Sequence, residues 1–511
     1  MHYNDEPCLR DVIDDSDWCI FHHPKNNLEF HKVFKEAFDA EVARQKHIHP
    51  EYFDFTGFVF PIEMEFGDMT FPVVYFKKAE FIKDVKFTPD RFKYFGQGGT
   101  QSGCQFQGKA DFSDTKFSGT TDFLNARFYQ DCTFYGVEFV YDVHFSGAFF
   151  EGQANFASTK YNYVTFDYSE FNSRADFSRS KFRGEETSFN GVKFNNDVTF
   201  RGSDFWGTAY FNWIQFDGAV DFTDCKFVTS GFTYTIFKGI TTLKNIYVNG
   251  NLYLHENDIH SRFFLNVKEW RKPEFLPSRD DFVYTSLIQI RNPIFQNNGK
   301  MIISGSMGEI SKNLFVGLSL QYCDLDNISL IDVEWPRISK NGRKASVDEL
   351  IVPLGRQNFS ADLKTGTPDS VAQLYRSLRD KYEKERRYHE AGDFFRAEMD
   401  VRKKFAESRT DKALLTFYNE LSRYGESIGL PILWAILFIL SSSLMITITQ
   451  HQPQTAEEFL KTLIVSVLPT VLMAFYPLGS VNEFHLFIVK LFGSLLIGTI
   501  FIAAKRKLER K

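Results

Sequence analysis

Two cysteines and a histidine near the N-terminus are the residues best suited to hold a metal ion. Cys8, Cys19 and His22 follow a C-x10-C-x2-H spacing, with His23 and His31 nearby. Thiolate sulfur and imidazole nitrogen are the ligands that a structural zinc ion prefers. The spacing therefore predicts a small zinc site, although it specifies no fourth ligand. Incidental cysteines beside surface histidines are the alternative interpretation.

Motifs of enzyme catalysis are missing from the sequence. It contains no nucleophile elbow, no Walker motif and no HExxH. The glycine-rich segment 96–103 lacks the Lys-Ser/Thr pair of a phosphate-binding loop, which indicates a bulge or a loop instead. We therefore predict that the protein is not an enzyme and that it needs no cofactor beyond the zinc ion considered above.

The aromatic residues carry the strongest signal. From Phe106 to Phe237 an aromatic residue recurs every five or six positions, and the chain holds 58 phenylalanines. Two positions before each aromatic stands a small or β-branched residue, for example Ala110, Thr115 and Cys132. A helix repeats its apolar face every 3.6 residues or so and a strand at about every second residue, so this period indicates a solenoid of stacked coils.

This pattern resembles the pentapeptide-repeat proteins. The resemblance implies a mainly β fold, a right-handed quadrilateral β-helix in which the central aromatic and the small residue before it both point inward. Coils stacked at about 4.8 Å would place identical rings above one another. Because two or three of the six cysteines occupy the small inward position, buried free thiols are predicted rather than disulfides.

The period divides the chain into successive segments. We predict an N-terminal cap at 1–51, a pentapeptide-repeat β-helix at 52–254, an irregular insertion or a modified coil at 255–313, a final repeat coil at 314–336, a linker at 337–369, a helical connector at 370–427 and a membrane module at 428–511. The cap carries one amphipathic helix that would shield the first coil. The connector carries two apolar stripes, which indicate a pair of antiparallel helices.

Two long apolar runs close the sequence. Residues 429–448 carry no charge, and 484–504 are broken only by Lys490; about 20 apolar residues suffice to cross a bilayer. Between them, 463–478 is short and contains two prolines, which favours a re-entrant segment. Basic residues flank both runs, so the positive-inside rule predicts two transmembrane helices with both chain ends in the cytoplasm. Since no secretory signal opens the sequence, we expect a cytoplasmic solenoid on a bacterial inner-membrane protein.

The order of span, half-span, span and basic tail resembles the two-helix pore domain of potassium-channel-like proteins. The resemblance implies a homo-oligomer such as a tetramer, and it places Thr470, Phe475, Tyr476 and Gly479 at positions equivalent to the filter. The T-x-G-[YF]-G strand that potassium selectivity needs is absent, so the ion selectivity stays open. Lys490 would lie about 9 Å inside the second span, where it either snorkels to the surface or lines a pore mouth and favours anions.

Together these patterns predict an integral membrane protein in which a cytoplasmic repeat rod binds or senses something and passes the event to an ion-channel-like pore. The expected partners are the lipid bilayer, further copies of the chain, and an unknown protein or small-molecule trigger. Nucleic acid is not expected, because 17 acidic and 13 basic residues between 106 and 250 give too weakly negative a surface for DNA mimicry. Two alternatives stay open: a membrane-anchored interaction scaffold that conducts nothing, and a defence effector that depolarises the membrane.

Overall fold

The structure is a computed structural model, and it forms two compact units. It describes residues 2–3, 6–7, 19–22, 28–67, 69–88, 103–270, 284–311, 314–320, 322–337, 343–349, 367–446, 448, 455–461, 464–465 and 483–509. The first unit, here called the solenoid unit, contains Met1–Ile338 and Ser346–Ile351. The second, the helical unit, contains Ser339–Ala345 and Val352–Lys511.

Short parallel strands line the four sides of each coil in the solenoid unit. Equivalent strands of successive coils pair in register, so that Ala110 lies opposite Cys132 and Cys132 opposite Ala154. Each side of the solenoid is therefore one continuous ladder of hydrogen bonds. We number the sides from first to fourth in chain order, beginning at Tyr52.

The first two sides share some long strands that turn a corner. The strands of the first side are Tyr52–Asp54, Val73–Tyr75, Ala110–Asp111, Cys132–Thr133, Ala154–Asn155, Ala175–Asp176, Val198–Thr199, Val220–Asp221, Thr241–Val248, Arg262–Trp270, Lys300–Ser306 and Ile328–Glu334. Those of the second side are Val59–Phe60, Glu80–Phe81, Lys116–Phe117, Glu138–Phe139, Lys160–Tyr161, Lys181–Phe182, the starts of Asp204–Tyr210 and Lys226–Thr233, and the ends of Thr241–Val248 and Arg262–Trp270.

The third and fourth sides complete each coil. The strands of the third side are Met64–Glu65, Val85–Lys86, Thr121–Asp122, Val143–His144, Val164–Thr165, Glu186–Ser188, the ends of Asp204–Tyr210 and Lys226–Thr233, then Leu252–His255, Tyr284–Arg291 and Leu314–Ser319. Those of the fourth side are Thr70–Phe71, Gln105–Phe106, Arg127–Phe128, Phe149–Phe150, Glu170–Phe171, Lys193–Phe194, Gln215–Phe216, Ile236–Phe237, Asp258–Ile259 and Ile294–Phe295. Two antiparallel pairings occur as well, one between His2–Tyr3 and Glu6–Pro7 and one between Gly308–Ser311 and Leu314–Ser319.

Phenylalanine rings fill the interior of the solenoid unit. In one column, Phe112, Phe134 and Phe156 stack with ring centroids 4.8 Å apart. Within a coil, Phe134 meets Phe145 edge to face at 5.4 Å. All four rings are fully buried, and each contributes about 2–3 kcal/mol to stability through the area it removes from water. The predicted solenoid with inward-pointing aromatic residues is confirmed over these coils.

Of the two alternatives for 255–313, the structure shows modified coils and not an irregular insertion. The described residues of this segment form strands on all four sides, and Arg262–Trp270 pairs with the coil before it and with Lys300–Ser306 of the coil after it. The aromatic period fails here because aliphatic side chains such as Leu287 and Ile303 take over the interior, where both are buried. The repeat coils therefore continue through this segment.

Helix α1, Leu28–Ile48, lies against the first coil. Its buried Phe34 and Phe38 approach the rings of Phe60 and Phe55, with centroids 6.0 and 5.2 Å apart respectively. A solenoid exposes apolar surface at its end unless another element covers it. Helix α1 supplies that cover.

The helical unit contains five described helices of eight or more residues. They are α2, Pro368–Lys384; α3, Tyr388–Phe405; α4, Arg409–Ser422; α5, Gly429–Ile446; and α6, Glu483–Glu509. Helix α2 begins after Thr367 because the side chain of Thr367 accepts the backbone N–H of Ser370. Helices α2 and α3 pack through their apolar stripes, with the ring of Tyr382 stacked on that of Phe394 at 5.6 Å.

A buried carboxylate also joins α2 to α3. Glu398 of α3 is 4% exposed and pairs with Arg376 and Arg379 of α2 at 3.0 and 3.1 Å. Arg402, one turn further along α3, pairs with it at 2.9 Å. Because three guanidinium groups surround it, the charge of Glu398 is compensated despite its burial.

The transmembrane helices predicted for the membrane module are wrong. Among the residues that the structure describes, no helix is long and apolar enough to cross a membrane. Helix α5 has 18 residues, about 27 Å along its axis, whereas the hydrocarbon of a bilayer is roughly 30 Å thick. In α6, Lys490 and the basic residues from Lys505 onward interrupt the apolar run. The structure therefore supports a β-solenoid with C-terminal helices, none of which spans a membrane within its described residues, and the predicted integral inner-membrane localisation is not supported.

Candidate functional site

Of the predicted zinc ligands, the structure brings Cys19 and His22 together. The Sγ atom of the buried Cys19 lies 2.9 Å from Nδ1 of His22, whereas Cys8 lies outside the described residues. Two ligands of one tetrahedral zinc ion would be about 3.5 Å apart, given their bond lengths, so the observed contact is that of a hydrogen bond. Within the described ranges no cluster of His, Cys, Asp and Glu is arranged to hold a metal ion. The zinc site stays a prediction.

Of the residues predicted to form a pore, the structure describes Lys490 alone. Thr470, Phe475, Tyr476 and Gly479 lie outside the described residues. Lys490 is exposed on α6. Because the predicted membrane span is not supported, the predicted position of Lys490 inside it is not supported either.

Six aromatic side chains border the third side of the solenoid. They lie along its two edges and point outward, away from the phenylalanine interior. We call this surface the aromatic face; it consists of Tyr141, Tyr163 and Trp206 at the corner between the second and third sides, and Tyr168, Trp213 and Tyr234 at the corner between the third and fourth sides.

The backbone places three of these residues at strained positions. Tyr168, Trp213 and Tyr234 each adopt a left-handed conformation, with φ of 58°, 56° and 55°. The equivalent corner positions of two other coils hold Gly147 and Gly191, which adopt this conformation without steric cost. For a side chain with a Cβ atom the left-handed conformation costs about 1–2 kcal/mol. The chain therefore carries bulky aromatic residues where its own repeat accommodates glycine.

The same three side chains are open to solvent. Tyr168 is 74% exposed, Trp213 61% and Tyr234 50%. The rings of Trp213 and Tyr234 lie parallel with centroids 6.3 Å apart. The ring of Tyr168 lies over Gly191 of the next coil, where a Cβ atom would come within 2.7 Å of the ring. The edge is thus a short row of aromatic rings that follows the solenoid axis.

The opposite edge pairs aromatic rings with a cation. The guanidinium of Arg183 lies 5.9 Å from the ring centroid of Trp206, which is 57% exposed. Tyr163, one coil before Arg183, lies with its ring centroid 6.0 Å from that of His144. Both edges of the third side therefore expose aromatic side chains, and the strands of that side lie between them.

The acidic side chains beside the inward phenylalanines have a structural role. Asp111, Asp122 and Asp176 each accept the backbone N–H two residues further on, at 2.8 Å. Such bonds fix the turn at the following corner. These carboxylates therefore stabilise the corners of the coils.

The buried thiols offer no nucleophile. Burial raises the pKa of the Cys132 thiol well above its usual range, and the pKa of Cys104 and of Cys225 is raised for the same reason. A thiol in this state does not ionise near neutral pH. All three are free and buried, as predicted for the small inward position.

The sequence reasoning missed the aromatic face although a signal for it exists. The inward phenylalanine is followed by one residue and then by a second aromatic, as in Phe166-Asp167-Tyr168 and Phe211-Asn212-Trp213. In other coils the third residue of this triplet is glycine or asparagine. The period of the inward residues does not reveal this substitution, because the corner residue points outward.

Comparison with known proteins identifies the repeats. A family model described as pentapeptide repeats (9 copies) matches residues 102–140 and 177–226. Over 147 residues the chain is 27% identical to an uncharacterized protein of Methanocaldococcus jannaschii, in an alignment that covers 28% of this chain and 32% of that protein. The chain thus spans about a third of the length of this curated relative. No solved structure matches the chain significantly.

Proposed function

We propose that this chain, whose solenoid carries pentapeptide repeats, is a binding protein that holds a partner protein on its aromatic face and catalyses no reaction. The observation that carries the proposal is the presence of Tyr168, Trp213 and Tyr234 at left-handed corners. Each costs backbone strain, and each leaves a large apolar side chain in water. Both features lower the stability of the folded chain by itself, whereas a binding surface gains contact area from the exposed side chains. The proposal corresponds to the interaction scaffold that the sequence left open as an alternative, but it does not include the membrane anchor.

Interfaces are rich in the residue types found on this face. Tyrosine and tryptophan supply large, rigid contact area at low cost in side-chain entropy, and they dominate the energetics of many protein interfaces. The third side between the two edges is built of regular strands, so the aromatic side chains are fixed relative to one another before a partner arrives. Pre-organisation of this kind lowers the entropic cost of binding.

The non-catalytic part of the proposal is supported by the packing of the interior. Phenylalanine rings occupy the centre of the coils, and the thiols of Cys104, Cys132 and Cys225 are held in their neutral form by burial. Neither arrangement provides a polar pocket in which a substrate could be held beside an activated group.

The test compares the full chain with an aromatic-edge variant, Tyr168→Gly/Trp213→Gly/Tyr234→Gly. Both are tagged and purified with their bound proteins from cells that naturally produce the chain, and the bound proteins are quantified by mass spectrometry. Thermal unfolding should show little loss of stability in the variant, because glycine relieves the strain at each corner. At least one bound protein is expected to disappear with the aromatic edge.

Two control variants separate this face from the rest of the solenoid. Arg179→Gly relieves the same left-handed strain, at φ 57°, on the corner between the first and second sides. Tyr135→Ser removes a tyrosine that is 48% exposed on that same corner. Both should keep the bound protein. If every protein bound by the native chain also binds the aromatic-edge variant, the proposed function is wrong.

A further inference from the structure

The aromatic face carries most of the net charge of the repeat tract. Between residues 106 and 250 the sequence has 17 acidic and 13 basic residues. Asp122, Asp142, Asp167, Glu185 and Glu186 lie on the third side or its two corners, and Arg183 is the basic residue there. The other sides of this tract then hold 12 acidic against 12 basic residues and are neutral. Negative charge and exposed aromatic rings therefore coincide on one face.

The charges of this face act on its tyrosines. Burial, and next to it the negative charges of Asp167, Glu186 and Asp142, raise the pKa of the Tyr163 hydroxyl. A hydrogen bond with Glu256 of the next coil raises the pKa of Tyr234. The carboxylates of both edges thus lie close enough to the rings to act on a group that binds beside them.

Several basic residues on the other sides of the solenoid pair with acids of neighbouring coils. Lys116 pairs with Glu80 and Lys160 with Glu138, both at 3.5 Å. On the aromatic face, by contrast, Glu185 and Glu186 are exposed and appear in no ion pair within the part of the chain that the structure describes. Their negative charge is available to a partner.

We propose that the partner segment held on the aromatic face is rich in arginine and lysine. The inference rests on the proposed function and names the chemistry of its partner. A cation lying over an exposed tyrosine or tryptophan ring is attracted by the ring, and nearby carboxylates strengthen the attraction. Arg183 over Trp206 shows that a guanidinium is accommodated at this edge.

Other occupants fit the charge of this face less well. A nucleic acid would bring its phosphates against Asp142, Asp167, Glu185 and Glu186. A second copy of the chain, docked through the same face, would place two negative surfaces together. A neutral apolar segment would use the rings but leave the carboxylates to be desolvated without a partner.

The test begins with a random 12-residue peptide library displayed on phage. The library is selected on the immobilised full chain after depletion on the aromatic-edge variant, so that the retained peptides require Tyr168, Trp213 and Tyr234. The retained peptides are expected to contain more arginine and lysine than the starting library. Fluorescence anisotropy then gives the Kd of one selected peptide for each variant of the full chain.

Charge removal at two places provides the decisive comparison. Glu185→Gln/Glu186→Gln is expected to weaken binding of the selected peptide about tenfold. Glu138→Gln/Glu151→Gln removes the same charge from other sides and should change the Kd less than twofold. Added salt should weaken binding to the native chain, because exposed charges are screened within about 10 Å at 0.1 M salt.

The two proposals fail in different ways. Retained peptides that are neutral or acidic, or a Kd that is insensitive to Glu185→Gln/Glu186→Gln, would overturn the basic partner while leaving a binding face. If selection retains no peptide that depends on the aromatic edge, and the capture experiment also finds no protein that depends on it, both proposals are wrong.

Discussion

Polar side chains at the inward corners of the solenoid are tolerated when they can donate to a backbone carbonyl of the preceding coil. The hydroxyl of Thr115 donates to the backbone oxygen of Phe76 at 2.6 Å, and that of Ser203 to the backbone oxygen of Phe177 at 2.7 Å. Ser169 occupies an equivalent inward position and is 1% exposed, but among the described residues its Oγ atom has no hydrogen-bond partner. Serine therefore stabilises the fold at position 203 and destabilises it at position 169.

Alanine at the two serine positions should have opposite effects. Ser169→Ala removes a buried hydroxyl without a partner and is expected to raise the free energy of unfolding by about 1 kcal/mol. Ser203→Ala loses the bond to Phe177 and one of the two acceptors of the Ser180 N–H, and should lower the free energy of unfolding by about 1–3 kcal/mol. Urea unfolding followed by circular dichroism measures both. Equal destabilisation by the two substitutions would contradict this account.

His255 makes the late coils sensitive to acid. Burial and the neighbouring positive charge of Arg291 lower the pKa of His255 to about 4. The unfolded chain takes up a proton near pH 6.5, whereas the folded chain resists it until near pH 4. Stability is therefore complete above about pH 6.5 and declines as the pH falls through this window.

Replacement of His255 by glutamine should remove this loss. The shift corresponds to about 3 kcal/mol between pH 6.5 and 4, and to about 1–2 kcal/mol after allowance for solvent screening, since the side chain is only partly buried. Urea midpoints measured from pH 7 to pH 4 are expected to fall less steeply for His255→Gln than for the native chain. Parallel slopes would show that His255 does not control this part of the pH dependence.

At the scale of the element, one carboxyl group fastens the segment 346–349 to the last strand of the third side. Asp348 is fully buried, and it accepts the hydroxyl of Ser319 at 2.5 Å and that of Ser346 at 2.6 Å. Ser319 ends the strand Leu314–Ser319. Burial raises the pKa of Asp348, although these hydrogen bonds oppose the shift. The segment is thus held by a group whose ionisation is costly.

The sign of the Asp348 effect is opposite to that of His255. Because the folded pKa is raised, the stabilisation is fully present at low pH and is lost as the pH rises above about 4 through the folded pKa. Asp348→Asn keeps the shape of the side chain and removes the ionisation, so its unfolding midpoint should lose less between pH 4 and pH 7 than that of the native chain. Hydrogen exchange of residues 346–349 provides the local measurement. Exchange that accelerates equally with pH in both proteins, after correction for the intrinsic rate, would contradict the assignment.

The coils of the solenoid could be predicted from the sequence where phenylalanine repeats at a fixed period, but not where other residue types replace phenylalanine. Phenylalanine at a fixed period marks the coils from Phe106 to Phe237, because only stacked coils bring such a period into one interior. In 255–313 aliphatic residues fill the same interior with longer strands, so the period is lost while the coils continue. The apolar composition of α5 and α6 is evident in the sequence. Whether a helix is long and apolar enough to cross a membrane depends on where it ends and on the charged residues that interrupt it, and composition alone does not give the helix ends.

The aromatic face shows the same limit at the candidate site. The tyrosines and the tryptophan at its left-handed corners are ordinary residues in the sequence. Their strain appears only when the backbone angles of Tyr168, Trp213 and Tyr234 are known, and their coincidence with Glu185 and Glu186 requires the order of the sides. A site made by the stacking of different coils is not contained in any one repeat.

At the scale of the whole molecule, the solenoid unit is built almost entirely from contacts between neighbouring coils. Each ladder joins a coil to the one before and the one after it, as the register of Ala110, Cys132 and Ala154 shows. Stability of such an array is close to a sum over coils and their interfaces. A coil is therefore a removable unit, provided that the register of all four sides survives its removal.

Deletion of residues 133–154 should leave a folded solenoid unit. It removes one coil between the paired residues Cys132 and Ala154, so Asn155 follows Cys132 in register and the ring of Phe112 meets that of Phe156. Deletion of 133–155 places Phe156 directly after Cys132, where the outward residue of this strand belongs, so the register at the junction is wrong by one residue. Circular dichroism and thermal unfolding should show one cooperative transition for the first variant, at a temperature no higher than that of the native chain. The second variant should unfold at a lower temperature than the first, since Phe156 can no longer stack on Phe112; comparable unfolding of the two would mean that register does not hold the coils together.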